Sequence, residues 1–258
     1  MAADLSPAHV LQVTDCHLFP DPRATLLGVE TQASLSAVLR AACRERRPDA
    51  LLATGDIAQD ASPATYGLFL DTVRAHFDGP LLCVPGNHDH GATLAAALPC
   101  DDLELRNWRV VGVDTHVDDV VGGRVGRSEL ARLSDTLDGP GPTLVVGHHC
   151  PVAIGTPWLD VHRIEDGEAL MRVMEGATVP AYAFGHIHQE ADVRLPTRLL
   201  GTPSTCFQFA ADTAAFAIDD AKPGYRWLHL AEDGTVATEV RRIADYPLNI
   251  NLRDRGRR

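Results

Sequence analysis

The sequence has no Cys-x-x-Cys pair, no surplus of positive charge, no apolar run of transmembrane length and no internal repeat. Each absence excludes something. The six cysteines, at 16, 43, 83, 100, 150 and 206, lack framework spacing, which argues against a disulfide scaffold and a thiolate zinc site. Cys43 and Cys83 sit in apolar runs, where a reduced thiol behaves as a small hydrophobe. A formal net charge of −12 disfavours general affinity for nucleic acid or an anionic membrane. A phosphate-bearing substrate would then need strong local positive charge, which a bound metal can supply. The first stretch, "MAADLSPAHVLQVTD", has neither a basic leader nor a long apolar segment, so the expected location is a reducing cytoplasm.

What is present is an alternation of short apolar runs and helical patterns. "HVLQVTD" (9–15), "ALLATGD" (50–56), "PLLCVPGNHD" (80–89), "WRVVGVDT" (108–115), "PTLVVGHH" (142–149) and "VPAYAFGHIH" (179–188) read as strands. Between them, 31–47 predicts an amphipathic helix with Thr31 as its cap and Pro48 as its stop. Residues 62–77 predict another, capped by Ser62 with Pro63 at its first position. Further helices are expected near 127–137 and 164–175. The last part is strand-rich. It includes "AAFAI" and a hairpin turning at Asp233-Gly234. One domain over 1–252 is expected, followed by a basic, disordered tail at 253–258.

The strand ends carry the chemistry. The first closes on Asp15 and His17, the second on Asp56, the third on Asn87, His88 and Asp89. Later strands close on His148-His149 and on His186-x-His188. Alternate residues of an extended segment share a face, so His186 and His188 converge on one spot. In open α/β sheets the carboxyl ends of strands border the ligand crevice, which delivers these groups to one rim. Taken singly, each motif has a plain reading as a strand-turn signal or a hydrogen-bonded histidine. Five together, in alternating α/β order, are hard to attribute to packing. Carboxylate, imidazole and amide oxygen suit two divalent cations such as Fe, Mn or Zn sharing a carboxylate.

The order Asp-x-His, Gly-Asp, Gly-Asn-His-Asp, Gly-His, Gly-His-x-His resembles the calcineurin-like metallophosphoesterase superfamily. "HHCPVAIGTPWLD", "GTPSTCFQF" and "PGYRWLHL" narrow the likeness to the bacterial class III 3′,5′-cyclic AMP phosphodiesterases, over about residues 9–245. The resemblance implies a four-layer α/β/β/α sandwich with two mixed central sheets. It implies that Asp15, His17 and His188 hold a first metal, Asn87, His148 and His186 a second, and that Asp56 bridges them. His88 would meet the scissile phosphate, with Asp89 orienting its ring. His17, Asp56, Asn87, His88 and His188 would also contact substrate. This chain reads "GHHCP" where relatives carry His-His-His-Pro or His-His-Pro-Pro, which leaves open whether His148 or His149 is the ligand. The implied reaction is hydrolysis of 3′,5′-cyclic AMP to 5′-AMP by a metal-bridging hydroxide, without a protein nucleophile.

Softer readings surround this set. Thr202 to Phe207 follows the last ligand strand, so Thr202 is a candidate substrate contact. Trp158 could stack on a purine or serve as an apolar lid contact. His162 lies in the same turn-rich segment. His116 is a weaker candidate for approach to the phosphate, and Asp60 would orient a ligand or cap the following helix. Rival functions are the same chemistry on glycerophosphodiesters or 2′,3′-cyclic nucleotides, a lipid-A-type pyrophosphate hydrolase, and a non-catalytic scaffold.

Overall fold

The computed structural model describes residues 6–254 and 256. Residues 1–5, at the start of the stretch read above for a leader, and 255, 257 and 258 of the expected tail lie outside the described residues.

In chain order the elements begin β1 (Ala8–Val13), β2 (Thr25–Leu26), β3 (Val29–Glu30), α1 (Thr31–Glu45), β4 (Ala50–Thr54), α2 (Pro63–Arg74) and β5 (Leu81–Val84). Next come α3 (Gly91–Ala97), β6 (Leu103–Leu105), β7 (Trp108–Gly112), α4 (Gly126–Leu137), β8 (Thr143–Val146), α5 (Pro157–Asp160) and α6 (Gly167–Glu175). The chain then runs through β9 (Ala181–Phe184), β10 (Ala191–Val193), β11 (Arg198–Gly201), β12 (Gln208–Phe209), β13 (Ile218–Asp219), β14 (Gly224–Leu230) and β15 (Val236–Arg242).

Two mixed sheets form. One has the order β15-β14-β1-β4-β5 and the other β10-β11-β9-β8-β7-β6. β1, β4 and β5 run parallel, as do β7, β8, β9 and β11. Alternation along each strand explains the layering. Leu11, Val13, Leu51 and Ala53 face a core under α1 and α2, while Val10, Ala50 and Leu52 face the other sheet. The opposite face of the second sheet packs Val111, Val145 and Tyr182 against Leu133 of α4 and Leu170 of α6. The result is the α/β/β/α sandwich that the resemblance implied. Both faces of each central strand are buried, which is why they read as continuous apolar runs. Each fully buried leucine or valine stabilises the fold by about 1.5–3 kcal/mol relative to exposure. Among the described residues no helix is long and apolar enough to cross a membrane.

Some local expectations are corrected. Ser62 does cap α2, its hydroxyl accepting from the Thr65 N–H at 3.3 Å. Thr31 is not a cap: it is the first residue of α1, buried, and Glu30 precedes it without a side-chain cap. α1 stops at Glu45 rather than 47, since the residue before Pro48 disfavours helical backbone. Of "AAFAI" only Ile218 enters a strand. The hairpin turn at Gly234 has φ of +85° and pairs β14 with β15. Asp254, in the stretch expected to be a disordered tail, is docked on the β2–β3 turn. Its carboxylate accepts from Thr25 Oγ1 at 2.6 Å and Gly28 N at 2.9 Å.

A buried polar line ties the two sheets together. Gln12 of β1 donates to Thr54 Oγ1 at 2.9 Å and to the Phe184 carbonyl at 3.2 Å. Arg226 of β14 donates to Thr202, Thr238 and the carbonyls of Ala191 and Gly201, at 2.7–3.2 Å. Burial lowers its pKa to about 10. The Pro-Gly-x-Arg segment is therefore a clamp between sheets. Arg226→Ala strands those acceptors and opens a cavity, so a loss of about 3 kcal/mol of unfolding free energy is expected in urea titration.

Candidate metal centre

The strands bearing ligand-type residues end on one rim shared by both sheets, and there the backbone reverses sharply. Asp15, His17, Asp56, His186 and His188 all take left-handed conformations, with φ between 48° and 65°. Such backbone costs about 1–3 kcal/mol per non-glycine residue and persists where the surroundings over-determine it. Close approach matters as much. A Cβ on Gly86 would fall 2.3 Å from Asp56 Oδ1, and one on Gly185 would fall 2.0 Å from Thr14 Oγ1. Only glycine lets these loops meet.

Three side chains make a first group. His188 Nε2 is 3.3 Å from Asp15 Oδ1 and 3.1 Å from His17 Nε2. The outer nitrogens are held by oxygen acceptors. His188 Nδ1 is 2.8 Å from the Phe207 carbonyl, and His17 Nδ1 is 3.0 Å from the Gln59 amide oxygen. With the ring proton on Nδ1, a bare Nε2 lone pair faces inward, the arrangement that an acceptor on the outer nitrogen imposes on metal-binding histidines. A second group joins Asn87, His148 and His186. Asn87 Oδ1 is 3.3 Å from His148 Nε2 and 3.0 Å from His186 Nδ1, while His148 Nδ1 meets the Thr54 carbonyl at 2.8 Å. Asp56 stands between them, with Oδ2 3.4 Å from His148 Nε2 and 4.0 Å from His17 Nε2.

The electrostatics suit cations. Burial holds His17 down at about pKa 3 against the pull of Asp56, and lowers His186 strongly, so both are neutral imidazoles. Burial would also lower His148, but the Asp56 charge outweighs it and raises the pKa to about 9. Asp56 itself lies well below the usual range: burial opposes this, and His148 and His88 overcome it. His186 Nε2 is buried without a hydrogen-bond partner among the described residues. Two inward-facing imidazole nitrogens 3.1 Å apart and an orphaned buried nitrogen are the features a resident cation pair satisfies. Asp15-His17-His188 and Asp15-Asp56-His148 are each close enough for one ion.

The adjacent histidines differ in their surroundings, although both lie close enough to His186 to share an ion with it. His149 has Nδ1 2.8 Å from Thr115 Oγ1 and Nε2 3.1 Å from the Val121 carbonyl, so both nitrogens are occupied, whereas His148 turns Nε2 to Asp56. His88 is exposed at the edge, its ring 5.1 Å from that of His17, and its backbone N–H donates to Asp56 Oδ1 at 2.8 Å.

Two expectations fail. Asp89 does not orient the His88 ring. Its buried carboxylate accepts from the N–H groups of Ile57, Ala58 and Gly86 and from the Tyr66 hydroxyl, at 2.9–3.2 Å. It staples the β4 and β5 loops together, and burial raises its pKa to about 6 despite those donors. Thr202 does not line the site either. It is fully buried, donating to Gln12 Oε1 at 2.6 Å and accepting from Arg226. Its position is fixed by the polar line between sheets.

A cavity of about 340 Å³ opens over the cluster. Its floor is His17, Asp56, Asn87, His186 and His188, with His88 at the side. Trp158 lines it, as the sequence suggested, together with His162 from the same turn-rich segment; His116 does not, and its Nε2 instead lies 3.8 Å from Asp118. Leu26, Leu27, Gln59, Phe209 and Phe216 were missed. The signal for one of them was available: Phe207 and Phe209 alternate in an extended stretch and so share a face.

An α/β/β/α sandwich with this donor set at the carboxyl ends of its strands is a metallophosphoesterase scaffold. The profile of the calcineurin-like phosphoesterases matches residues 8–190, and the chain belongs to that family. It is 36% identical over 260 residues to the 3′,5′-cyclic adenosine monophosphate phosphodiesterase CpdA of Haemophilus influenzae, covering 96% of this chain and 94% of that protein. The protein of the same name from Escherichia coli K12 is 39% identical over 248 residues, covering 92% and 90%. The crystal structure of a dimetal phosphatase from Danio rerio is similar in fold, with a TM-score of 0.59 at 15% identity over 90% of this chain and 98% of that one.

The geometry predicts different outcomes for the two neighbouring histidines. His148→Ala should weaken manganese binding by more than about tenfold, the scale seen even for outer partners of metal ligands. His149→Gln should keep the metal and lose thermal stability. Metal analysis beside a melting curve separates them.

Proposed function

We propose that this chain hydrolyses 3′,5′-cyclic AMP to 5′-AMP, using two divalent cations drawn from Fe, Mn or Zn. One observation carries the reading. Five donors, His17, Asp56, Asn87, His186 and His188, meet on the floor of a single cavity, with Asp15 and His148 packed against them, in a chain more than a third identical to proteins named as this phosphodiesterase. Asp15, His17 and His188 would hold one cation, Asn87, His148 and His186 the other, and Asp56 lies within reach of both. When bound, such a pair supplies Lewis-acid charge to the phosphate oxygens and a water of lowered pKa.

The remaining work falls to the chain itself. His88 stands at the cavity edge with His17 and Asp56, where its ring can donate to the leaving 3′ oxygen of the cyclic ester. Its backbone is tied to Asp56, so the donor and the shared carboxylate keep a fixed relation. Asp89 holds the two loops that present them. Gln59, the Thr54 carbonyl and the Phe207 carbonyl keep the imidazoles oriented. Among the described residues no serine, threonine or cysteine lines the cavity, which supports direct attack by water rather than a covalent phosphoenzyme. The substrate is a small molecule, in keeping with the net charge of −12. Six free cysteines support assignment to a reducing cytoplasm.

The test is kinetics on 3′,5′-cyclic AMP, 2′,3′-cyclic AMP and glycerophosphocholine, with metal analysis of each preparation. His88→Ala is expected to retain both cations while kcat falls by about a hundredfold or more. Asn87→Ala is expected to lose a cation and activity together. Loss of metal in His88→Ala, or a stronger preference for either of the other two diesters, would contradict the reading.

A further inference from the structure

We infer that Trp158, Phe209 and Phe216 form a purine clamp, which selects adenine-type cyclic nucleotides over pyrimidine ones and over diesters lacking a base. The inference rests on the phosphodiesterase reading and adds to it the part of the substrate that the metal donors do not touch.

The three rings meet edge to face. Phe209 and Trp158 have centroids 4.9 Å apart at 81°, Trp158 and Phe216 5.4 Å at 68°, and Phe209 and Phe216 5.6 Å at 68°. All three line the cavity that holds Asp56 and His88. The box adjoins the donors directly, because Phe209 stacks on the His188 ring at 4.2 Å and 22°. A group one ribose width from a phosphate on that floor therefore reaches the aromatic wall.

An aromatic trio is more often plain packing, and one observation counts against that here. Phe216 is 49% exposed, on the connection between β12 and β13, a two-stranded ribbon outside both main sheets. The exposed half of a large apolar ring at a cavity mouth gains further burial only if something covers it. A purine does so, since its bicyclic face offers the stacking area. A pyrimidine presents a smaller face, and a glycerol headgroup presents none.

Trp158 also provides the readout. Trp108 and Trp227 are fully buried in the cores, so Trp158 alone among the three tryptophans lines the cavity. Manganese-loaded protein is titrated with 5′-AMP and with 5′-UMP while intrinsic fluorescence is followed. Saturable quenching by 5′-AMP is expected, absent in Trp158→Phe, with 5′-UMP binding about tenfold more weakly. In Phe216→Ala, a change at an exposed position, the KM for cyclic AMP should rise by about tenfold with a smaller change in kcat. The kcat/KM ratio of cyclic AMP to cyclic UMP should fall toward one. Wild-type enzyme that hydrolyses cyclic AMP without a fluorescence change, and keeps its KM and ratio in Phe216→Ala, overturns the clamp alone. Wild-type enzyme that hydrolyses neither cyclic AMP nor bis(p-nitrophenyl) phosphate overturns the clamp together with the phosphodiesterase reading.

Discussion

The carboxylate of Asp56 is the point on which the molecule is organised. One oxygen accepts the His88 N–H, and the other faces His148 and His17. His17, Asp56 and His88 come from loops of the first sheet, while His148 comes from the second. The carboxylate is thus one place where the two halves of the sandwich touch through polar atoms. Removing it from water would be costly without partners, and the surrounding imidazoles supply them. The same crowding explains why Gly86 must lack a side chain: a Cβ there would occupy the space of the carboxylate.

Around this point the fold sets the requirements of stability against those of the site. Five ligand-type residues sit in left-handed backbone, a conformation ordinary side chains avoid. The loops stay in place because the strands beneath them are buried on both faces and because Asp89, itself in the β5 loop, accepts two bonds from the β4 loop, one from its own loop and one from Tyr66 of α2. The inter-sheet line through Gln12, Thr202 and Arg226 adds a second set of polar ties, farther from the cavity. Polar residues near the site therefore divide in two. Some aim atoms into the cavity, and others hold the walls that carry it.

That division marks how far the residues could be read in order. The donors at strand ends were legible because ligand types recur at the same place in each β-unit, and α2 was legible from Ser62-Pro63. Asp89 and Thr202 were not. Each adjoins a site segment in sequence, yet its side chain turns to partners on other elements, the β4 loop and α2 for Asp89, Gln12 and Arg226 for Thr202, which local spacing does not encode. His148 and His149 are indistinguishable as letters. They part only because Thr115 and the Val121 carbonyl, brought in by other segments, occupy both nitrogens of the second.

The order of residues alone determined the alternation of strands and helices and the donor types at the strand ends, since apolar periodicity and donor type are properties of the chain itself, while the layered sandwich followed from the family resemblance. Tertiary packing decided which of two adjacent imidazoles turns toward Asp56, which carboxylate faces imidazoles of both sheets and which staples loops, and that an aromatic wall stands beside the donors. Those outcomes depend on partners from other elements of the chain, and hydrogen-bond direction becomes defined only when both sheets have closed on one another.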